Sequence, residues 1–422
     1  MIQQCGLLGE KLSHSFSPQI HAELSGYEYR LFEKKPEELE DFLRHGDFNG
    51  LNVTIPYKKA VIPFCANLSE TARLTGSVNT IIRHPDGSLY GYNTDFFGFG
   101  YLLEKAGVHP GQGKILVLGS GGSSMTVQAV LRDRGAKEII VVSRTGADNY
   151  ENLEKHCDAK GLINTTPVGM YPNNGVSPIT DLGIFSGCKG VVDLIYNPGR
   201  TELMALAEES GIPAFNGLTM LAAQAKKSAE LFTNTDIPNE EIERITAKIA
   251  GLSQNIVLIG MPGCGKTSTG TILAKKLKRE FVDTDASIEK KAGKSIPRIF
   301  AEDGEDAFRS LECYALQTVC KESGLVIATG GGVVTRPENR RVIRQNSVVI
   351  FLDRDISQLP TAGRPLSRRD GIESLAATRL PLYRQWSDHI VKVHGIKETA
   401  ADIIKIIIPG AAHKHHSSSN IL

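Results

Sequence analysis

Short apolar runs alternate with stretches of helical periodicity along the whole chain. The runs at 5–9, 50–55, 114–118, 138–142, 161–164, 191–195 and 256–259 stop at glycine or polar residues and read as strands, as do the segments ending at 283 and 328. Helices are expected from near Pro18, after the glycines at 119–122, from 216, within 233–252, over 268–279 and from 379. Strands that alternate with helices predict an α/β fold with parallel sheets. A chain of 422 residues suggests roughly two to four domains, and the polar tail at 412–422 is expected to be disordered. No glycine- or serine-rich linker precedes the strand at 256–259.

Composition narrows the function classes. A net charge of +1 on 422 residues gives no global electrostatic case for nucleic acid or a membrane surface. The seven cysteines are scattered without a CxxC pair, which points to reduced thiols and a cytoplasmic setting rather than disulfides or a zinc site. No basic-then-apolar signal region opens the sequence, and the longest apolar run, 403–408, is broken by Lys405 and too short for a bilayer.

The sharpest chemical signal is NIVLIGMPGCGKTST at 255–269. A strand runs into Gly260-x4-Gly265-Lys266-Thr267, the P-loop spacing with every fixed position filled. Gly260, Gly263 and Gly265 let the backbone N–H groups, with those of Cys264 and Ser268, curl around phosphate oxygens, and the following helix points its positive end at the same anion. Lys266 supplies charge for the terminal phosphates and the Thr267 hydroxyl is placed to ligate Mg²⁺. Beyond it, EFVDTD is read as a strand that ends with Asp283 and Asp285 on one side, two carboxylates for Mg²⁺ or a substrate hydroxyl. Arg309 in FRSLE, the glycines of ATGGG (Gly331 and Gly332 among them), Arg364 in a segment read as a mobile loop, and Arg379 make better sense together, as binders of an anionic acceptor and a moving phosphoryl group, than as lone solvated arginines.

The first half carries weaker, ordered signals. Ser15 and Ser17 precede the helix near Pro18, where hydroxyls and free N–H groups suit a carboxylate, although Ser-x-Ser-Pro alone is also an ordinary helix cap. GLNVTIPYK is read as a strand presenting Asn52, Thr54 and Pro56 to one side, with Lys58 at its end. Asn79 in SVNT and Asp95 in YNTD add an amide and a carboxylate at strand ends. A Lys58–Asp95 pair can move a proton to a substrate oxygen, or can be a plain surface salt bridge. KILVLGSGGSS leads a strand into Gly119, Gly121 and Gly122, a partial dinucleotide fingerprint with Ser124 in the third glycine place. The next strand ends in Ser143-Arg144-Thr145, where an NAD enzyme would show an acid, so a 2′-phosphate and NADP(H) are expected. NGLTMLAAQA opens a helix with Gly217 before it and Met220 and Gln224 four residues apart on one face, Met220 being equally readable as core.

SHSFSP, NVTIPYK, SVNT, YNTD, GSGGSS, SRT, NTTPVGM, DLIYNP and NGLTMLAAQA, in that order over 5–232, resemble shikimate dehydrogenase. The resemblance implies NADP(H)-dependent reduction of 3-dehydroshikimate to shikimate by a substrate domain (1–100) and a Rossmann NADP domain (101–252). It assigns Ser15, Ser17 and Tyr196 to the substrate carboxylate side, Thr54, Asn79 and Gln224 to its hydroxyls, and Lys58 and Asp95 to catalysis. Gly119, Gly121 and Gly122 would take the pyrophosphate, Ser143, Arg144 and Thr145 the 2′-phosphate, and Gly217 and Met220 the nicotinamide side. Two departures stand out: Ser143 replaces the family's usual Asn, with Ala147-Asp148-Asn149 where a second basic residue is usual, and the stretch 144–164 is short, so an abridged cofactor sheet is expected.

GMPGCGKT, DTD, FRSLE, ATGGG, RPL and RLPLY over 255–395 resemble shikimate kinase, which implies a P-loop parallel-sheet domain of nucleoside-monophosphate-kinase type. ATP-dependent phosphorylation of the shikimate 3-hydroxyl is the implied reaction. Arg309, Arg379, Gly331 and Gly332 would hold the carboxylate, Asp285 the ring hydroxyls, Thr267 and Asp283 the Mg²⁺, and Lys266 and Arg364 the phosphoryl charge. The two resemblances name consecutive steps, so a bifunctional enzyme of aromatic amino acid precursor synthesis is expected, working on small molecules without nucleic acid or membrane, as a monomer or homodimer. A sensing protein with dead sites, and quinate as the first half's substrate, are the alternatives.

Overall fold

The structure, a computed structural model, describes residues 3–12, 15–24, 26–359 and 371–407. It divides into two compact units, Met1–Asn197 with Thr201–Ala250, and Pro198–Arg200 with Gly251–Leu422. Arg364 lies outside the described residues.

The first unit holds two sheets. β1 (Gln3–Gly9), β2 (Tyr27–Glu33), β3 (Gly50–Val53), β4 (Asn67–Leu68), β5 (Thr80–Arg83) and β6 (Leu89–Tyr92) form a mixed sheet in the order β2-β1-β3-β5-β6-β4. β5 runs antiparallel to β3 and β6, which brings Asn52 opposite Thr80 and Thr80 opposite Tyr92. The helices α1 (Ser17–Ala22), α2 (Leu39–His45), α3 (Glu70–Thr75) and α4 (Thr94–Lys105) belong to this part. β3 stops at Val53, so Thr54 and Pro56 do not continue a strand as the alternation suggested. Pro56 has no N–H for a ladder, and Tyr57 N donates to Thr54 O at 2.9 Å to close a turn instead.

β7 (Lys114–Leu118), β8 (Glu138–Val142), β9 (Gly161–Asn164), β10 (Val191–Asp193) and β11 (Ala214–Asn216) make an all-parallel sheet in the order β11-β10-β9-β7-β8. The chain order reverses at β7, where an open α/β sheet has its binding crevice. α5 (Gly122–Asp133) joins β7 to β8, whereas β8 to β9 is joined by one 3-10 turn, Leu153–His156, with neither strand nor α-helix. α6 (Glu202–Glu209), α7 (Leu218–Thr233) and α8 (Glu240–Ser253) complete this part of the chain. α7 packs along α4 at Gly98, where a Cβ would stand 2.7 Å from the Met220 carbonyl oxygen. That close approach sets Gln224 against the first turn of α4.

The second unit is a parallel sheet of β12 (Asn255–Ile259), β13 (Phe281–Asp283), β14 (Val326–Ala328), β15 (Ser347–Asp353) and β16 (His389–Lys392), ordered β13-β14-β12-β15-β16. Its helices are α9 (Lys266–Leu277), α10 (Thr284–Ala292), α11 (Ile296–Glu302), α12 (Gly304–Val319), α13 (Pro337–Arg344), α14 (Ile372–Trp386) and α15 (Ile396–Ile407). β12 is buried along its whole length, so its apolar run reads without alternation, as a strand covered on both faces does. Val257, Leu258 and Ile259 are fully buried, each stabilising the unit by roughly 1.5–3 kcal/mol. Asp285 is a second correction: β13 ends at Asp283, and Asp285 lies in the first turn of α10. Asp283 accepts from the backbone N of Asp285 and of Ala286, so it caps a helix where the strand period was expected to continue.

Candidate active sites

At the first unit's substrate-side elements, Lys58 Nζ donates to Asp95 Oδ2 at 2.6 Å. Asp95 is held in the first turn of α4, which Asn93 caps by accepting from Phe96 N at 3.1 Å. The Lys58 carbonyl accepts from Val78 N at 2.9 Å, tying the lysine to the SVNT segment. The Lys58 side chain stays 32% exposed, open to a ligand, while that of Asp95 is 15% exposed.

A buried hydroxyl and amide network lies beside this pair. Asn79 Oδ1 accepts from Thr94 N at 2.7 Å and its Nδ2 donates to Thr94 Oγ1 at 3.0 Å. Thr94 Oγ1 also reaches Gln224 Oε1 at 3.4 Å and Thr80 Oγ1 at 3.2 Å. Asn52 Nδ2 donates to Thr80, and Asn52 Oδ1 accepts from the Tyr29 hydroxyl at 2.8 Å. Ser17 stands close enough to Tyr29 to oppose the rise in its phenol, which burial holds far above the usual tyrosine range. Ser17 N donates to Ser15 Oγ at 3.1 Å, and the Phe16 ring stands 5.7 Å from that of Tyr196. Ser15, Ser17, Asn79, Gln224 and Tyr196 are thus joined by contacts that span the unit, although Gln224 and Thr94 are 130 residues apart. Thr54 is half-buried and enters no side-chain hydrogen bond of this network. Sequence reading singled out neither Thr80 nor Thr94 nor Tyr29; the burial of Thr94 behind YNTD had no one-dimensional signal.

The cofactor-side residues also converge. Gly119 N donates to Val142 O at 2.8 Å, which sets the glycine turn against the end of β8 and next to Ser143. Gly119 has φ +101°, and a Cβ there would meet Thr166 at 2.8 Å. A Cβ on Gly121 or Gly122 would meet nothing within 4 Å, so the start of α5 presents open backbone that fits a pyrophosphate. Arg144 and Thr145 are exposed at the strand end. At Gly217 a Cβ would fall 2.0 Å from Leu194 O, so only glycine lets α7 begin there and bring Met220 and Gln224 forward.

The second unit encloses a cavity of about 500 Å³. Gly263, Gly265, Lys266, Thr267 and Ser268 line one end, and Asp285, Arg309, Gly331, Gly332 and Arg379 the other. Cys264 is buried behind the loop. Lys266 Nζ donates to Gly260 O at 2.8 Å and Met261 O at 3.0 Å. Thr267 Oγ1 donates to Asp283 Oδ2 at 2.7 Å, a hydroxyl and carboxylate side by side that fit a magnesium ion completed by phosphate oxygens and water. Arg309 Nη1 donates to Glu312 Oε2 at 2.8 Å, and Arg379 Nη1 to Gly331 O at 3.1 Å. Tyr383 also donates to Gly331 O.

Asp285 Oδ1 and Glu312 Oε1 are buried without a partner, and each lies 2.7 Å from where a Cβ on Gly330 would stand. Two unsatisfied acceptors converging on one point can take donors from water or from a ligand. Burial pushes the Asp285 carboxyl up to about 6, with Asp283 adding to the rise and Lys266 opposing it. Burial raises the Glu312 carboxyl as well, against the pull of Arg309. Glu312 was missed as a site residue, although its place three residues after Arg309 in FRSLE puts both on one helix face.

Comparison with known proteins follows the same division. Residues 7–81 match the family model for the shikimate dehydrogenase substrate binding domain, and residues 262–408 match that for shikimate kinase. A shikimate dehydrogenase (NADP(+)) of Clostridium perfringens is 36% identical over 262 residues, covering 57% of this chain and 96% of the relative. The chain belongs to the shikimate dehydrogenase family. Its dehydrogenase part is joined to a shikimate kinase domain, and both parts are enzyme domains, one NADP-dependent and one ATP-using. Among solved structures, the chorismate mutase/shikimate 5-dehydrogenase fusion protein from Clostridium acetobutylicum is similar at 37% identity and TM-score 0.55, over 59% of this chain and 97% of that one. Shikimate 5-dehydrogenase from Thermus thermophilus, in complex with NADP(H) and shikimate, is similar at 31% identity and TM-score 0.53, over 59% and 99%.

Proposed function

We propose that the chain carries out two consecutive reactions of the shikimate pathway: NADPH-dependent reduction of 3-dehydroshikimate to shikimate, and ATP-dependent phosphorylation of shikimate to shikimate 3-phosphate. What supports the reading is that each half gathers charged and hydrogen-bonding side chains of the kinds a hydroxylated carboxylic acid needs. One site is centred on Lys58–Asp95 and the other on Asp285 and Arg309. The substrate unit of 1–100, the cofactor unit of 101–252 and the kinase unit of 253–411 are the working division. A cytoplasmic location accords with seven unpaired cysteines, and no helix among the described residues is long and apolar enough to cross a membrane.

NADPH supplies the hydride and ATP the phosphoryl group. Lys58 donates a proton to the substrate oxygen as the carbonyl becomes a hydroxyl, and Asp95 orients its ammonium. Ser15, Ser17 and Tyr196 hold the carboxylate side, and Thr54, Asn79 and Gln224 the hydroxyls. Gly119, Gly121 and Gly122 hold the pyrophosphate, Ser143, Arg144 and Thr145 the 2′-phosphate, and Gly217 and Met220 border the nicotinamide. In the kinase half, Arg309, Arg379, Gly331 and Gly332 fix the carboxylate. Asp285 accepts from the reacting hydroxyl: a carboxyl near 6 is ionised at neutral pH yet more basic than a free one. Lys266 and Arg364 meet charge on the phosphoryl oxygens, with Thr267 and Asp283 beside the metal.

A single reaction with 3-dehydroshikimate, NADPH, ATP and Mg²⁺, following NADPH loss and ADP formation separately, tests the reading. Lys58→Ala abolishes NADPH loss and leaves phosphorylation of added shikimate intact, and Lys266→Ala does the reverse. A wild-type chain that binds both ligands and turns over neither would be a sensor instead.

A further inference from the structure

The connection from β8 to β9 holds an acid where an NADP site is best without one. Asp148 is the first carboxylate after β8, and its backbone carbonyl accepts from Ser143 N at 3.1 Å. It is therefore pinned beside Ser143-Arg144-Thr145. A carboxylate at the end of this strand suits the free ribose hydroxyls of NAD and repels a 2′-phosphate. Its side chain, however, is engaged: Asp148 Oδ1 is 2.8 Å from His156 Nε2. His156 comes from the 3-10 turn and its side chain is 9% exposed, whereas Arg144 lies exposed. His156 Nδ1 is buried without a partner, so Nε2–H donating to Asp148 is the side chain's one hydrogen bond among the described residues. Asn152 ties down the same loop, accepting from Asn149 N at 3.0 Å and donating to Ala147 O at 2.9 Å. Tyr150 in this loop is close enough to Arg144 for that cation to oppose the rise that burial imposes on its phenol.

We infer that His156 is a positioning residue for cofactor choice: from its buried place in the 3-10 turn it holds the partly exposed Asp148 carboxylate, keeps that charge off a 2′-phosphate at Arg144, and so sets the preference for NADP(H) over NAD(H). This rests on the assignment of Arg144 to the 2′-phosphate. Shortly after Arg144 stand Ala147, Asp148 and Asn149 and no second basic residue, so the hydrogen bond from His156 is what restrains the acid.

The test measures kcat/KM for NADPH and for NADH with 3-dehydroshikimate on the full chain, using the kinase rate to normalise folded enzyme. His156→Leu fills the same space without a donor. It lowers the NADPH:NADH ratio about tenfold, mainly through KM for NADPH, as expected for a carboxylate freed beside a phosphate in partly screened solvent. His156→Leu with Asp148→Asn restores the ratio, Asp148→Asn alone does not lower it, and His156→Gln, which keeps a donor, stays near wild type. A ratio unchanged in His156→Leu, or a fall that Asp148→Asn does not recover, overturns the inference. Arg144→Gln separates the two levels: if it leaves the ratio unchanged, the 2′-phosphate assignment itself fails.

Discussion

Asp285→Asn stabilises the kinase unit while abolishing its reaction. The wild-type carboxyl is raised from 3.8 to about 6, chiefly by burial. A carboxyl whose folded value is raised binds its proton more tightly in the folded state, so the ionised form carries a stability cost that is full above pH 6. The cost shrinks as pH falls and is gone below 3.8. A rise of about two units corresponds to ~3 kcal/mol at pH 7.5 and about half that at pH 5. The amide removes this cost. For a unit of this size the gain amounts to roughly 5–10 °C in Tm. The chain's single tryptophan, Trp386, is buried in the kinase unit's core, so its fluorescence during urea unfolding follows that unit. Expected are a higher midpoint at pH 7.5, about half the gain at pH 5, and phosphorylation reduced at least about a hundredfold. Loss of stability at pH 7.5, or a gain of equal size at both pH values, refutes the account of Asp285 as a buried, undersatisfied charge.

Below about pH 6 wild-type phosphorylation falls as Asp285 takes up a proton, while the Trp386 signal stays native; a rate flat down to pH 5 in a pH–kcat/KM profile removes Asp285 from its assigned role. Gly332→Ala places a Cβ 2.0 Å from Arg309 Nη1 and lowers kcat/KM for shikimate about ten- to hundredfold in a steady-state kinase assay, with NADPH oxidation unchanged. Gly98→Ala forces a Cβ against the Met220 carbonyl oxygen, costs ~1–3 kcal/mol of the first unit's stability and removes dehydrogenase activity before kinase activity on heating, as separate activity-loss curves show.

The P-loop was legible because its chemistry is local: strand, glycines, lysine and helix follow one another, and β12 and α9 stand within two residues of where the pattern put them. The strand at 138–142 was read from a bare apolar run and is found with those limits. The DTD and NVTIP segments were misread for one reason: a period of two was carried past the residue where the chain turns. The signal for the turn was present in both, an aspartate able to cap and a proline unable to donate. What could not be read was long-range. Nothing in one dimension places Gln224 against Thr94 or aims Glu312 and Asp285 at the same glycine, because those meetings depend on how α7 lies on α4 and how α12 packs on α10.

Lys266 is solvated by its own loop, through the carbonyl oxygens of Gly260 and Met261. Phosphate binding is therefore an exchange and not an addition: the ammonium gives up two carbonyls for whatever the anion offers. A short anion that meets only part of the loop recovers less in that exchange than a long one. A polyphosphate chain that runs the length of the loop and shares a metal with Thr267 gains more. The loop's own carbonyls are thus part of what any anion binding there must replace.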